Sequence, residues 1–461
     1  MTAERVERGG VDEAAARAYR EILARAPEHD LVPSLERIAA VAGLLGDPQR
    51  SFAVVHLSGT NGKSSTTRMV ERLLREHGLR TGRFTSPHLH DVAERISLDG
   101  VPLAPGRFVE VYREVLPYVE LVDARGAEAG QPRLTFFEVL VAMAYAAFAD
   151  APVDVAAVEV GMGGSWDATN VADGAVAVVT PIAIDHERFL GRDVASIAVE
   201  KAGIIKPGAL AVLGRQPMPA AEVLLRRAAQ VEARTALEGV DFGVRHRDLA
   251  VGGQVLALQG LSGLYEDVFL PLYGEHQAGN AACALAAVEG FLGAGRDGGA
   301  GGVTGLDPDV VRAGFAGVDS PGRLEVVRRS PTVLVDAAHN PAGAAVLAEA
   351  VHEAFAFTRL VGVVGVLADK DAVGILEALE PVLDDVVITR SSSPRSIPPE
   401  ELAVAAVDVF SAERVQVAER MDAAIEAAVA LAEAGGGTGG GVLATGSVTV
   451  AADVRALLGA R

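Results

Sequence analysis

The chain has 461 residues, and 41 Lys plus Arg against 61 Asp plus Glu leave a formal net charge of −20 with His neutral. That length predicts two or three domains at roughly 150 residues each, and a 50% hydrophobic composition excludes wholesale disorder. The acidic balance argues against a general nucleic-acid or anionic-membrane binder but leaves room for anionic small molecules in a locally positive pocket, while the single cysteine, Cys283, excludes an internal disulfide and a Cys-based metal site.

The opening MTAERVERGG has no apolar signal core. The longest plainly apolar run, residues 139–149, is well short of the roughly 20 residues that cross a bilayer. A soluble cytoplasmic protein is expected. Strand candidates in chain order are 52–58, 153–160, 175–184, 332–338, 360–368 and 385–390. Several are continuous Val/Ile/Ala/Leu runs, the pattern of strands covered on both faces. Helical patterns at 66–78 and 412–435 lie between or after them. The alternation predicts an α/β protein built on a doubly wound, mostly parallel sheet. A Gly-rich stretch, 293–309, reads as a linker, and fresh strand–helix alternation begins near Pro321. The domain boundary is placed in 293–321, giving domains 1–320 and 321–461. A second Gly-rich stretch, 435–440, reads as a loop inside the second domain.

Strand 52–58 runs into Gly59-Thr60-Asn61-Gly62-Lys63-Ser64 and then a helix. Such a loop brings backbone N–H groups to phosphate oxygens at a helix N-terminus, where Lys63 reaches phosphate and the Ser64 hydroxyl suits Mg²⁺. The full P-loop pattern is not met, because Leu57 stands where its first Gly belongs. A glycine turn capping an ordinary helix is the plain alternative. Glu159 ends another strand candidate beside Gly161-Met162-Gly163-Gly164, and the next candidate leads to Asp185-His186. Carboxylates at the C-terminal ends of parallel strands lie where α/β sheets bind ligands. Singly, Glu159, His186 and Lys201 have structural explanations as a loop cap, a surface histidine and a solvated lysine. Their order along the chain favours a site.

The motifs GTNGKSS, FTSPHL (84–89), TFFE (135–138), EVGMGGSWDATN (159–170), IDHERFLG (184–191), EKAGIIKPG (200–208), GEHQAGNA (274–281), PGRLEVV (321–327) and DAAHNPAG (336–343) occur in this order. Together they resemble folylpolyglutamate synthase and the bifunctional dihydrofolate synthase of the Mur ligase superfamily, from about residue 30 onward. The resemblance implies a P-loop ATP-binding and pterin-binding domain followed by a smaller Rossmann-like α/β glutamate ligase domain. It implies an ATP-dependent amide-forming ligase that adds L-glutamate to folate, to dihydropteroate or to both through an acyl phosphate. Gly59, Thr60, Asn61, Gly62, Lys63 and Ser64 would hold phosphates. Asn280, Arg323, Asp336 and His339 match ATP contacts. Ser64, Ser86, Glu159 and His186 would serve two Mg²⁺ ions, and Lys201 resembles the lysine that the family carbamylates with CO₂. Lys63, Lys201 and His186 are the catalytic candidates. Thr135, Phe136, Phe137, Glu138, Asp167, Ala168 and Thr169 match segments lining the pteroate pocket. A monomer is implied.

One departure stands in the glycine loop, where Ser165 replaces the family's usual Arg. Its loss leaves one positive contact unaccounted for. The segment DLVPSLERI (30–38) loosely matches an entry segment tied to dihydrofolate synthase activity. Another Mur-type amide ligase, a non-ligating P-loop switch and, because of Ser165, a pseudoenzyme are the competing readings.

Overall fold

A computed structural model describes residues 3–26, 32–293, 305–434 and 439–460. In chain order its strands are β1 (Ala53–Ser58), β2 (Thr81–Phe84), β3 (Ile96–Leu98), β4 (Val101–Pro102), β5 (Val155–Glu159), β6 (Val176–Val179), β7 (Leu210–Leu213), β8 (Arg234–Leu237), β9 (Gly243–Ala250), β10 (Gly253–Gln259), β11 (Leu264–Leu270), β12 (Glu325–Arg329), β13 (Thr332–Val335), β14 (Arg359–Val364), β15 (Asp385–Ile388), β16 (Val415–Val417) and β17 (Gly440–Thr445).

Among the described residues these form three sheets. The first runs β4-β3-β2-β5-β1-β6-β7-β8, parallel except at the β3–β4 edge. The last runs β12-β13-β17-β14-β15-β16, parallel except for the β12 edge. The expected mixed α/β architecture is thus present, with mostly parallel sheets in both halves. Central strands β5, β6 and β7 are buried throughout, as their unbroken apolar runs require.

Between these sheets lies a three-stranded antiparallel sheet, β11-β10-β9, absent from the sequence-based expectation. Gly252, at φ +84°, makes the tight turn from β9 to β10. The apolar run 139–149 lies in the helix Phe136–Asp150, which packs on the first sheet and buries nearly every side chain. Two expectations need correction. The candidate 175–184 pairs only to Val179, because Pro181 has no N–H to donate to a ladder. The pattern 412–435 is helical only over Met421–Glu433, since Val415–Val417 is a β-branched edge strand beside β15. Parts of both Gly-rich stretches, 294–304 and 435–438, and residues 30–31 of the entry segment lie outside the described residues. Helix Pro308–Ala316, inside the expected linker, packs on β11 and on helix Lys63–Glu76.

The buried apolar clusters segregate along the chain. Three are built from residues up to Val318 and two from Leu324 onward. Among the described residues, half-buried Leu89 and Tyr273 alone pack across from the first half into the second half's clusters. A buried carboxylate anchors the small sheet. Glu289, in helix Glu275–Leu292, is fully buried and accepts hydrogen bonds from Leu261 N, Ser262 Oγ and Tyr265 OH, the last at 2.8 Å. Glu289→Ala strands these donors and is expected to destabilise the protein by roughly 3 kcal/mol. Thermal denaturation followed by circular dichroism checks this, with a melting temperature equal to wild type as the contrary result.

Candidate active site

β1 sits between β5 and β6, so the loops leaving these three adjacent strands emerge at one sheet edge. Such an edge is where open parallel sheets hold ligands. The loop after β1 is stitched to the loop after β6. Thr180 Oγ1 donates to Asn61 O at 2.7 Å, Thr60 N to Pro181 O at 3.1 Å and Thr60 Oγ1 to Ala183 O at 2.9 Å. This approach requires glycine. A Cβ on Gly59, at φ +144°, would lie 1.9 Å from Thr180 Oγ1. One on Gly62, at φ +84°, would lie 2.4 Å from Asn280 Oδ1. Asn280 thus packs against the phosphate loop and donates to Gln277 Oε1 at 3.1 Å.

Lys63 opens the following helix, Lys63–Glu76, and donates Nζ to Gly59 O at 3.1 Å and Thr60 O at 3.0 Å. Burial pushes its pKa down, while Glu159 and Asp185 oppose the shift. Glu159 ends β5 and is buried. Its Oε1 accepts from Ser64 Oγ at 2.7 Å, and its Oε2 accepts from Ser86 N at 3.2 Å. Burial raises its pKa against the pull of Lys63.

His186 lies beyond the end of β6, in the left-handed region at φ 52°. Burial pushes its pKa down to about 3, so its imidazole is neutral at physiological pH and has a lone pair to offer. Lys201 sits in the last turn of helix Val194–Ala202 and is 4% exposed. Its Nζ donates to Gly59 O at 2.6 Å, the same carbonyl that Lys63 reaches. Burial, reinforced by Lys63, holds its pKa well below the usual lysine value. Lys201 does not open onto the main cleft. It lines a small recess with Gly59, Lys63, Gly161, Asp185 and His186.

Among the described residues no group of three or more His, Cys, Asp and Glu side chains is poised to hold a metal ion. Mg²⁺ does not demand one, because it keeps several waters and takes one or two carboxylates with substrate phosphates. The Ser64 hydroxyl on the Glu159 carboxylate, beside the phosphate loop, fits that donor set.

Ser165 points away from the cleft. Its Oγ donates to Glu200 Oε2, one residue before Lys201, and its carbonyl accepts from Asn170 Nδ2 at 3.0 Å. This position faces the end of the helix that carries Lys201.

The main cleft has a volume of about 2130 Å³. One end is lined by Thr135, Phe136, Phe137, Glu138, Asp167 and Ala168. Thr135 and Glu138 form a capping box at the N-terminus of helix Phe136–Asp150, which fixes this wall. Arg37 braces it, donating Nε to Glu138 Oε1 at 3.1 Å with both side chains buried. Arg95 lies over the Phe136 ring at 5.1 Å. Thr169 needs correction, because it is fully buried behind Asp167 and is absent from the cleft wall.

Arg323, just before β12, and Asp336 and His339, just after β13, face the cleft from the second half. Asp336 accepts from Leu324 N and Ala338 N, both at 2.7 Å, and so shapes the turn that presents Arg323. Burial raises its pKa against the pull of Arg323. The residue that joins the halves was not a site candidate in the sequence. Asp185 takes Lys370 Nζ at 2.6 Å and Asn340 Nδ2 at 3.1 Å, with His339 Nε2 at 3.4 Å. Burial works against its charge, but His339, His186 and Lys370 hold the carboxyl far below the usual range. Asn340 also donates to Asn61 Oδ1 at 3.1 Å. Lys370 follows β14 at the same C-terminal edge rule that exposed Asp336, and that signal was available in the sequence. Arg37 belongs to the entry segment 30–38 that the sequence singled out, although the residue itself was not named there.

Residues 322–448 match the model of the Mur ligase glutamate ligase domain. Over 453 residues the chain is 53% identical to the dihydrofolate synthase/folylpolyglutamate synthase of Mycobacterium tuberculosis, covering 94% of this chain and 92% of that protein. The chain belongs to the folylpolyglutamate synthase/dihydrofolate synthase family. The corresponding Escherichia coli protein is 35% identical over 372 residues, 80% of each chain. The crystal structure of the M. tuberculosis folylpolyglutamate synthase with ADP and AMPPCP superposes with a TM-score of 0.91 at 51% identity, covering 97% of this chain and 98% of that one. The E. coli enzyme with DHPP and ADP gives 0.81 at 31% identity, covering 97% and 98%. The protein is an ATP-dependent ligase of the glutamate-adding type.

Gly59→Ala is expected to push Thr180 aside, break the stitch between the two loops and weaken nucleotide binding at least tenfold. Isothermal titration with a non-hydrolysable ATP analogue measures this, and unchanged affinity would contradict the assigned role of the loop.

Proposed function

We propose that the cleft binds ATP with its phosphates on residues 59–64, and a pterin acceptor against Thr135–Glu138 and Asp167–Ala168. Arg323, Asp336, His339 and Asn280 hold the nucleotide from the other side. The acceptor is a reduced folate, dihydropteroate or both, and the second substrate is L-glutamate. An acceptor carboxylate attacks the γ-phosphorus, ADP leaves and an acyl phosphate forms. The glutamate amine then attacks the acyl carbon, loses a proton and expels inorganic phosphate, which leaves an amide. Phosphoryl transfer of this kind depends on positioning and charge stabilisation. Lys63 supplies a desolvated ammonium at the phosphate loop, where its field is little screened.

Ser64, Ser86, Glu159 and His186 would hold Mg²⁺, as two ions. The metal would neutralise phosphate oxygens when bound. Burial favours the neutral form of the Lys201 amine, the form whose lone pair CO₂ needs. Addition of CO₂ with loss of one proton makes a carbamate, which replaces an ammonium that would repel the ions. The reading takes the enzyme as cytoplasmic and monomeric. Among the described residues no helix is long and apolar enough to cross a membrane.

One observation supports this reading most. The phosphate loop, Glu159 and the Asp185–His186 loop face Arg323, Asp336 and His339 across a single cleft. A product-mass assay with ATP, Mg²⁺, glutamate and either tetrahydrofolate or dihydropteroate tests it. Each acceptor used gains one glutamate with one phosphate released, and ATP turnover indifferent to any pterin would refute the acceptor assignment.

Lys63→Ala is expected to lower turnover by roughly 10²–10³-fold without lowering the melting temperature. Steady-state kinetics and a melting curve decide it, and near-normal turnover would remove Lys63 from the mechanism. Stripping CO₂, or Lys201→Ala, is expected to reduce activity and weaken Mg²⁺ dependence, with short carboxylic acids restoring part of the mutant's rate. An unchanged Mg²⁺ titration in Lys201→Ala would rule out a carbamate there.

A further inference from the structure

Behind the acceptor end of the cleft, three side chains form a buried line. His56, in β1, is fully buried, and its Nε2 lies 2.9 Å from Thr169 Oγ1. Thr169 Oγ1 donates to Asp167 Oδ1 at 2.5 Å. A hydroxyl has one proton, and Asp167 takes it. Thr169 must therefore accept from His56, which fixes His56 as the Nε2–H tautomer. Its Nδ1 is then a bare acceptor, and among the described residues that buried atom has no hydrogen-bond partner.

An imidazole with one stranded nitrogen is an expensive way to fill a core position that an aliphatic side chain could occupy. What histidine adds here is its one donor. Thr169 is tied from other directions too. Tyr145 OH donates to Thr169 O at 2.7 Å, and Thr169 N donates to Asp167 Oδ1 at 3.0 Å. The second Asp167 oxygen accepts from Met162 N at 2.9 Å. Asp167 alone of the three reaches the cleft.

We infer that His56 is a positioning residue for the acceptor: through Thr169 it fixes the orientation of the Asp167 carboxyl on the cleft wall. The inference rests on Asp167 being an acceptor contact. Burial lifts the Asp167 pKa to about 6, with Thr169 and Met162 pulling it back, so the line also limits that rise. His56 itself stays neutral, its pKa pushed to about 3 by burial and by Lys206. Lys201 and Tyr145 also feel the Asp167 charge.

The test compares His56→Leu, which has no donor, with His56→Gln, whose amide can place one at the same reach. His56→Leu should raise the acceptor KM up to about tenfold, the value of one lost hydrogen bond, with the ATP KM unchanged. His56→Gln should recover most of that loss. Thr169→Val and Thr169→Ser repeat the comparison one link along, and Val should resemble Leu while Ser resembles wild type. Equal rises in both KM values, or a Gln variant as impaired as Leu, would overturn the inference. Asp167→Asn is the control for the premise. If it leaves the acceptor KM unchanged, Asp167 is not an acceptor contact and the reading of this wall fails first. If it raises that KM while His56→Leu does not, only the role of His56 fails. Nitrogen-15 NMR of labelled histidine, assigned with His56→Gln, should show a neutral Nε2–H ring down to pH 5, and an Nδ1–H ring would also overturn the inference.

Discussion

A single carbonyl oxygen organises the site. Gly59 O accepts from both Lys63 and Lys201, two amines drawn from different helices. Two ammonium groups sharing one acceptor in a dry pocket repel each other, and burial already disfavours charge on each. The outcome is a division of roles. Asp185 supports the charge on both, Glu159 adds to it at Lys63, and Lys201, opposed by Lys63 and more weakly supported by Asp167, is driven further toward the neutral amine. The glycine that permits this sharing is itself demanded by Thr180 from the neighbouring loop. Loop stitching, phosphate cradle and lysine chemistry thus follow from one backbone position.

The second organising group is Asp185. It belongs to the first half of the chain, yet its ammonium and amide partners, Lys370 and Asn340, belong to the second. A buried carboxylate survives only with such partners. The Asn61–Asn340 contact runs beside it and ties the phosphate loop to the same helix start. The geometry of the nucleotide cleft is therefore set by polar contacts that cross it, while each half folds around its own apolar clusters.

Local signals exposed the parts of the site that are local. The β1–glycine–Lys63 passage was legible because strand, loop and helix are contiguous. Glu159, Asp336 and His339 were legible from their place after strands. The Asp185 hub was legible only in part: Asp185 and Lys370 each follow a strand, but they lie 185 residues apart and neither segment announces the other as its partner. Thr169 was read as a wall residue because a motif does not say which of its members face outward. His56 was invisible for the same reason: within FAVVHLS it is one more residue of a buried strand. The antiparallel sheet escaped notice although Gly252-Gly253 marks its first turn, since its strands carry charge on their outer faces and lack the long apolar runs of the parallel sheets.

The segregation of the apolar clusters has a mechanical meaning. Side chains that cross between the halves are mostly hydrophilic, among them Asp185–Lys370, Asn61–Asn340, Arg247–Glu353 and Arg455–His90. When such a joint parts, water can take over each broken contact, and little oily surface is laid bare. The joint is thus a wettable one, and separating the halves would cost each of them little of its own apolar packing.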